Sequence, residues 1–209
     1  MRRIVLLSLL LTYIPLQVNA APSDDALTVL NSLSVKGRAA KTGYTRAQFT
    51  HWSDLDRNGC DARNDTLKRD LTALVFKVGT RDCKVITGSL LDPYSGKIIT
   101  FSSTKSTIDI DHVVALSNAW QTGAANFDKT KRQQIANDPL NLLAVDFTLN
   151  RQKGDGDAAT WLPPLKSYRC DYVSRQVAVN VKYGLWITQP EKDEIVKILE
   201  KCVGQKIPN

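Results

Sequence analysis

Three short segments hold residue types that can do chemistry together. They are Ile110-Asp111-His112-Val113-Val114, Asp138-Pro139-Leu140-Asn141-Leu142-Leu143 and Leu149-Asn150-Arg151-Gln152-Lys153-Gly154-Asp155. A carboxylate beside a histidine at a strand end can divide two tasks. Asp111 offers a hard oxygen to Mg²⁺ or a similar cation. His112, with a side chain that titrates near neutrality, can take a proton from water. Asn150 supplies a second, neutral oxygen ligand if it lies on a helix packed over the strands. A cation with so few ligands keeps positions open for phosphate oxygens and water, as metal-assisted hydrolysis requires.

The elements that must hold these residues are short and mixed. Ile108 to Val114 alternates apolar and acidic residues as a strand does, and Asn141 to Val145 reads as a second short strand. Thr148 to Asp157 is polar and interrupted by glycine. Lys84–Leu91, the turn Asp92-Pro93-Tyr94-Ser95-Gly96 and Lys97–Phe101 predict a hairpin. Helical spacing is predicted over 21–33 (capped by Ser23 or Asp24), 45–52, 65–75, 117–125, 129–136, 172–183 and 191–202. With no repeats and no linker, the pattern is that of one α+β domain.

Composition narrows the function classes. The 209 residues carry 28 Lys and Arg against 21 Asp and Glu, and only two histidines, His51 and His112. That excludes a His-rich zinc site, and no Cys-x-x-Cys pair exists for a zinc ribbon or a thioredoxin-like site. His51 has no sequence partner and reads as a packed or surface residue. Arg2 and Arg3 precede an apolar run from Ile4 to Leu11, and Val18-Asn19-Ala20 ends in small residues, which predicts a signal peptide over 1–20 and a mature domain over 21–209. The run is too short to span a bilayer, and Pro15 interrupts it. Processing lowers the net charge from +7 to +5. The expectation is an exported monomer, secreted or periplasmic, with no membrane association after processing. Outside the cytoplasm four cysteines imply disulfides. Three pairings exist, and the local brackets favour Cys60 with Cys83 and Cys170 with Cys202.

Asp54-Leu55-Asp56-Arg57-Asn58-Gly59, with Asp65 at the twelfth position, has the oxygen ligands and sharp-turn glycine of an EF-hand-like loop. The usual final Glu is an Asp here, which reaches less far. A structural Ca²⁺ is therefore a candidate beside the catalytic metal, as is a plain polar loop next to a disulfide.

The three chemistry-bearing segments resemble the His-Asn-Asn variant of the HNH, or ββα-metal, nucleases. In that motif an Asp-His pair ends the first strand, an Asn follows in the loop and a last His or Asn sits on the helix. A wider resemblance, over roughly residues 44–202, is to secreted HNH-family proteins akin to the C-terminal nuclease domain of GmrSD-type restriction enzymes. Its marks are Gly59-Cys60-Asp61-Ala62-Arg63-Asn64, Asp92-Pro93-Tyr94-Ser95-Gly96, Asp111-His112-Val113-Val114-Ala115-Leu116, Ala119-Trp120, Gly123-Ala124, Ala136-Asn137-Asp138-Pro139, Asn141-Leu142-Leu143, Asn150 to Asp155, and Trp161-Leu162-Pro163-Pro164. The proline that often follows the histidine three positions on is Ala115 here, which bears on loop shape.

The resemblance implies a disulfide-stapled α+β fold with a ββα-metal core, a preceding hairpin and surrounding helices. It implies an endonuclease in which His112 activates water and Asp111 and Asn150 hold one divalent metal, Mg²⁺ foremost and Mn²⁺ second. Asn141 pins the loop and orients His112. Lys153, Arg151, Arg63 and Arg132 are the phosphate contacts it suggests. Trp120 and Trp161 read as core residues rather than base-stacking platforms. DNA is the expected substrate and RNA a second, read with little sequence specificity because no helix-turn-helix or zinc finger is visible. Two other classes stay open: a non-catalytic exported protein binding nucleic acid or calcium on a degenerate scaffold, and a phosphodiesterase of small substrates. No protein partner is legible.

Overall fold

The computed structural model describes residues 24–105 and 107–208. The leader predicted over 1–20 lies outside the described residues. The first helix, α1 (Ala26–Ser32), is capped by Asp25, which accepts the Thr28 N–H, rather than by Ser23 or Asp24. A long arm follows and contains one 3₁₀ turn, Arg46–Phe49. Helicity predicted over 45–52 is confined to that turn, because Thr50 and Trp52 take left-handed backbone conformations with φ of 38° and 63°.

Helix α2 (Ala62–Asp70) starts at an Asp61 cap and leads into β1 (Thr72–Phe76). The helix predicted over 65–75 therefore stops five residues early. Leu71, Leu74 and Val75 have helical spacing, but the run from Thr72 pairs antiparallel with β2 (Val85–Leu91), through an irregular register. β2 pairs with β3 (Ile98–Ser102) about the 92–96 turn, as the hairpin reading expects.

A separate two-stranded sheet positions the site. β4 (Ile108–His112) and β5 (Leu142–Asp146) run antiparallel, with Ile108 opposite Asp146, Ile110 opposite Ala144 and His112 opposite Leu142. Between them lie α3 (Leu116–Gln121), a short 3₁₀ turn and α4 (Lys129–Asn137). Asp146 ends β5 and caps α5 (Phe147–Lys153) by accepting the Leu149 N–H at 2.9 Å. Gly154, with φ of 52°, ends α5 where a side-chain-bearing residue would be strained. Helices α6 (Arg169–Tyr183) and α7 (Gln189–Leu199) close the fold.

Burial follows the strand period of two. Ile108 and Ile110 pack with Leu142, Ala144, Leu67 and Phe101 on one face of the small sheet. Leu143 and Val145 pack with Tyr94, Tyr172 and Val177 on the other. Each of these aliphatic side chains contributes roughly 1.5–3 kcal/mol when fully buried. Helix α6 separates the cores, giving Tyr172, Val173 and Val177 to one and Ala178, Val179 and Tyr183 to the other.

Both favoured disulfides are present. Cys60–Cys83 ties the approach to α2 to the start of β2, and Cys170–Cys202 ties the start of α6 to the segment after α7. Closing loops of this size raises the free energy of the unfolded chain by about 3 kcal/mol each in the chain-entropy picture. Among the described residues, no helix is long and apolar enough to cross a membrane.

Helix α7 carries a pH-sensitive contact. Thr188 and Glu191 form a reciprocal cap, and Glu191 is only 1% exposed. Burial, with repulsion from Asp157, pushes its carboxyl up to about 8 from an ordinary 4.5, against the pull of the Thr188 backbone and Arg38. A folded-state value above the unfolded one means a contribution fully present below pH 4.5 and lost as pH rises through 8. Glu191→Gln keeps the cap geometry and removes the titration. Thermal melts of the two proteins should therefore diverge between pH 5 and 9, with the wild type losing about 4 kcal/mol relative to the variant. Parallel pH profiles would refute this.

Candidate functional site

The end of β4, the N-terminal arm and α5 enclose a polar cleft of about 590 Å³. Asp109, Asp111, His112, Asn150, Arg46, Arg63 and Arg151 line it, with Tyr44 and Trp52 on the arm side.

His112 is buried, and its Nε2 lies 2.9 Å from the Ala136 carbonyl oxygen. A carbonyl only accepts, so Nε2 carries the proton and Nδ1 keeps its lone pair. Nδ1 has no hydrogen-bond partner among the described residues, and the ring lines the cleft. Burial pushes the imidazole down to about 3, against the pull of the Ala136 carbonyl, and Arg46 and Lys153 push the same way as burial. The ring is thus neutral near pH 7, an acceptor aimed at an open space.

The C-terminus of α4 holds this arrangement. The last carbonyls of a helix lack intrahelical partners, and here site side chains supply them. Ala136 O takes His112, and Ile135 O takes the Asn141 amide at 3.1 Å. Asn141 is fully buried and also accepts the Val114 N–H at 2.8 Å, while its backbone oxygen accepts the Val113 N–H. It therefore locks the loop immediately after His112 and touches no cleft surface. Asn137, the next residue of α4, donates to Thr50 O at 3.0 Å and accepts the Ser53 N–H at 2.7 Å. That strap holds Trp52 in its left-handed conformation, a state that costs of order 1–3 kcal/mol. The indole stacks on His112 with centroids 5.8 Å apart and planes 28° apart. His51 sits edge-on to Trp52 and does not line the cleft.

Asp111 is almost fully buried. Its Oδ2 accepts the Tyr94 hydroxyl at 2.5 Å and its Oδ1 accepts Lys153 Nζ at 2.9 Å. Lys153 also donates to the His112 backbone oxygen. Burial pushes the Asp111 carboxyl up, while Lys153 and Tyr94 pull it down. Asp109 lies two positions earlier on the same face of β4 and accepts the Asn150 amide at 3.3 Å. That contact uses the Asn150 nitrogen and leaves its oxygen without a protein partner among the described residues.

The predicted site residues are therefore partly gathered. Asp111, His112, Asn150, Arg63 and Arg151 share the cleft, and Asn141 stands behind it. Lys153 points inward, with its side chain 0% exposed. Arg132 lies elsewhere, over Trp120, with its guanidinium carbon 5.7 Å from the ring centroid. Trp120 and Trp161 are packed among other aromatics, as expected of core residues. Sequence reasoning missed Asp109, Arg46 and Trp52. The period of two from Asp111 could have found Asp109. Arg46 and Trp52 reach the cleft only through the fold of the arm.

The 54–65 loop is knit by its own hydrogen bonds. Asn58 donates through its amide to Asp56 at 3.0 Å and to Asp65 at 3.2 Å, and Asp54 accepts the backbone N–H groups of Asn58 and Gly59. Burial, with repulsion from Asp56 and Asp54, pushes the Asp65 carboxyl up. Among the described residues no three His, Cys, Asp or Glu side chains are grouped to hold a metal ion.

A cleft with a neutral histidine, three carboxylates (Asp109, Asp111 and Asp155, the last paired with Lys41), an amide oxygen and three guanidinium groups that join no ion pair among the described residues defines a class that handles anionic substrates. The chain belongs to the family of GmrSD restriction endonuclease C-terminal domains, whose model matches residues 61–198. That membership points to a nuclease-like activity and a nucleic-acid substrate. The chain is also 36% identical over 191 residues, 90% of each chain, to an uncharacterized secreted protein of Arthroderma benhamiae. No solved structure matches it. The family match contains Asp109, Asp111, His112, Asn141 and Asn150, whereas Tyr44, Arg46 and Trp52 precede it.

Proposed function

We propose that the chain is an exported HNH-type endonuclease that hydrolyses DNA, and secondarily RNA, with one divalent metal and little sequence specificity. The carrying observation is the free Nδ1 of a neutral His112, facing the same cleft as Asp111, Asn150 and three unpaired arginines. The antiparallel β4–β5 pair followed by α5 supports the reading of a ββα-metal core. Export is supported by the naming of the relative as secreted and by the leader-like sequence of residues 1–20.

The donors in the cleft suit a hard cation. Asp109 and Asp111 offer carboxylate oxygens and Asn150 a neutral one, a light set that favours Mg²⁺ or Mn²⁺ with retained water. When bound, such an ion would stabilise charge developing on the phosphate and on the leaving 3′ oxygen. His112 Nδ1 takes the proton of the attacking water. An anionic phosphate in the cleft favours the resulting imidazolium, and so does the negative end of α4 at Ala136. Arg46, Arg63 and Arg151 hold backbone phosphates, a sequence-independent mode of binding. Lys153 acts from behind, through the charge and aim of Asp111, rather than on the phosphate.

Supercoiled plasmid offered with Mg²⁺ or Mn²⁺ should become nicked and then linear, and EDTA should stop it. Intact plasmid across both metals, with a model phosphodiester cleaved instead, would favour a small-substrate enzyme. DNA binding without cleavage would favour a binding protein.

A structural Ca²⁺ in the 54–65 loop is a separate proposal that rests on the sequence spacing of Asp54, Asp56, Asn58 and Asp65. The three carboxylates each accept an Asn58 N–H without being grouped about one point. Calcium at a hundredfold excess over its Kd should stabilise the fold by about 2.7 kcal/mol, and Asp56→Ala should remove the effect. Identical melting curves in calcium and EDTA would refute it.

A further inference from the structure

The Asp92-Pro93-Tyr94-Ser95-Gly96 turn makes a hairpin, yet its contacts reach well beyond β2 and β3. Tyr94 is 0% exposed, and its ring is wedged against Trp161, Tyr172 and Tyr168 with centroids 5.0, 5.7 and 6.2 Å away. So confined, its hydroxyl has one direction to point, and it donates to Asp111 Oδ2. Asp92, also 0% exposed, accepts the Ser95 N–H and hydroxyl with one oxygen. The other oxygen accepts the Asp146 N–H at 3.0 Å. Asp146 is the cap of α5, the helix that carries Asn150. One turn is thereby bonded to the side chain of Asp111 and to the base of the helix bearing Asn150.

We propose that Tyr94 is a positioning residue that fixes the Asp111 carboxylate for a divalent cation, an inference that rests on the metal-dependent reading above. An ionised carboxylate has about four lone-pair sites. Tyr94 and Lys153 each occupy one and leave the others to the cleft that Asp111 lines. A ligand clamped on its inner side presents those sites in one orientation, so little ordering remains to be done when the cation arrives. Packing alone does not account for the residue. Phenylalanine would fill the same aromatic nest, and only the hydroxyl reaches Asp111.

Tyr94→Phe therefore separates the two roles. Isothermal titration with Mn²⁺ alone, without nucleic acid, should show affinity about tenfold weaker than wild type. A cooperative melt and unchanged DNA binding in EDTA should accompany it. Mn²⁺ affinity equal to or tighter than wild type overturns the proposal. Failure of the wild type itself to bind Mn²⁺ overturns the metal-dependent reading, and this inference with it. Should Tyr94→Phe not melt cooperatively, wild-type protein carrying ¹³C at the tyrosine Cζ positions decides the matter. Mg²⁺ should shift the resonance of a solvent-excluded tyrosine, and a spectrum in which no tyrosine moves overturns the proposal.

Discussion

His112→Ala is expected to lower kcat for plasmid nicking by roughly 10²–10⁴-fold while leaving the salt dependence of DNA binding unchanged. The reason is the division of labour in the cleft. The proposed phosphate contacts are Arg46, Arg63 and Arg151, and no other described side chain lining the cleft offers a neutral nitrogen base. The substitution also strands the Ala136 carbonyl, but the end of α4 keeps its contacts with Asn141 and the 50–53 segment. The melting temperature should therefore fall by only a few degrees, for one unpaired acceptor of roughly 1–3 kcal/mol. Gel densitometry of nicked product at saturating plasmid, beside a thermal melt, reads both quantities. Cleavage at the wild-type rate would remove His112 from the chemistry.

The largest effect on stability is expected from Lys153→Met. Lys153 and Asp111 form an ion pair with side chains 0% and 5% exposed. Such a pair contributes little net stability, because desolvation consumes most of the attraction. Removing one partner is another matter, since the other charge then stays buried without compensation. A loss of about 3–5 kcal/mol follows, a drop on the order of 10 °C for a chain of this size. Methionine fills most of the lysine volume, so the loss reports charge rather than a cavity. A melting temperature within 2 °C of wild type would show that Asp111 is not held as an anion by this contact.

Much of the site was legible because its core is local in sequence. Asp111 and His112 are adjacent, the step from Asn141 to Asn150 is fixed by one strand and the first turn of one helix, and the alternation in β4 is written in its residues. What could not be read depends on distant segments. Trp52 and Arg46 arrive on an arm whose path is set by Asn137, more than eighty residues away. Lys153 reads as a phosphate contact from its place in the Asn150 to Asp155 motif, and only the tertiary fold aims it at Asp111 instead. The lost strand β1 shows the limit of periodicity. Leu67, Leu71 and Leu74 satisfy a helical spacing across a boundary where the chain leaves α2 to pair with β2. The cysteine brackets succeeded because both bridges close short, local loops.

The pairing of β4 with β5 has an evolutionary consequence. Asp109 and Asp111 share one face of the strand, while Ile108 and Ile110 fill the core from the other. Losing or gaining a single residue within these five would send both carboxylates into the apolar interior and both isoleucines into the cleft. Chemistry and folding would fail in the same event, with no weakened intermediate for selection to act upon. Variation in length is thus shut out of this hairpin. Any change of length that adapts the cleft has to fall elsewhere, such as in the arm bearing Tyr44, Arg46 and Trp52, which precedes the family-matched segment.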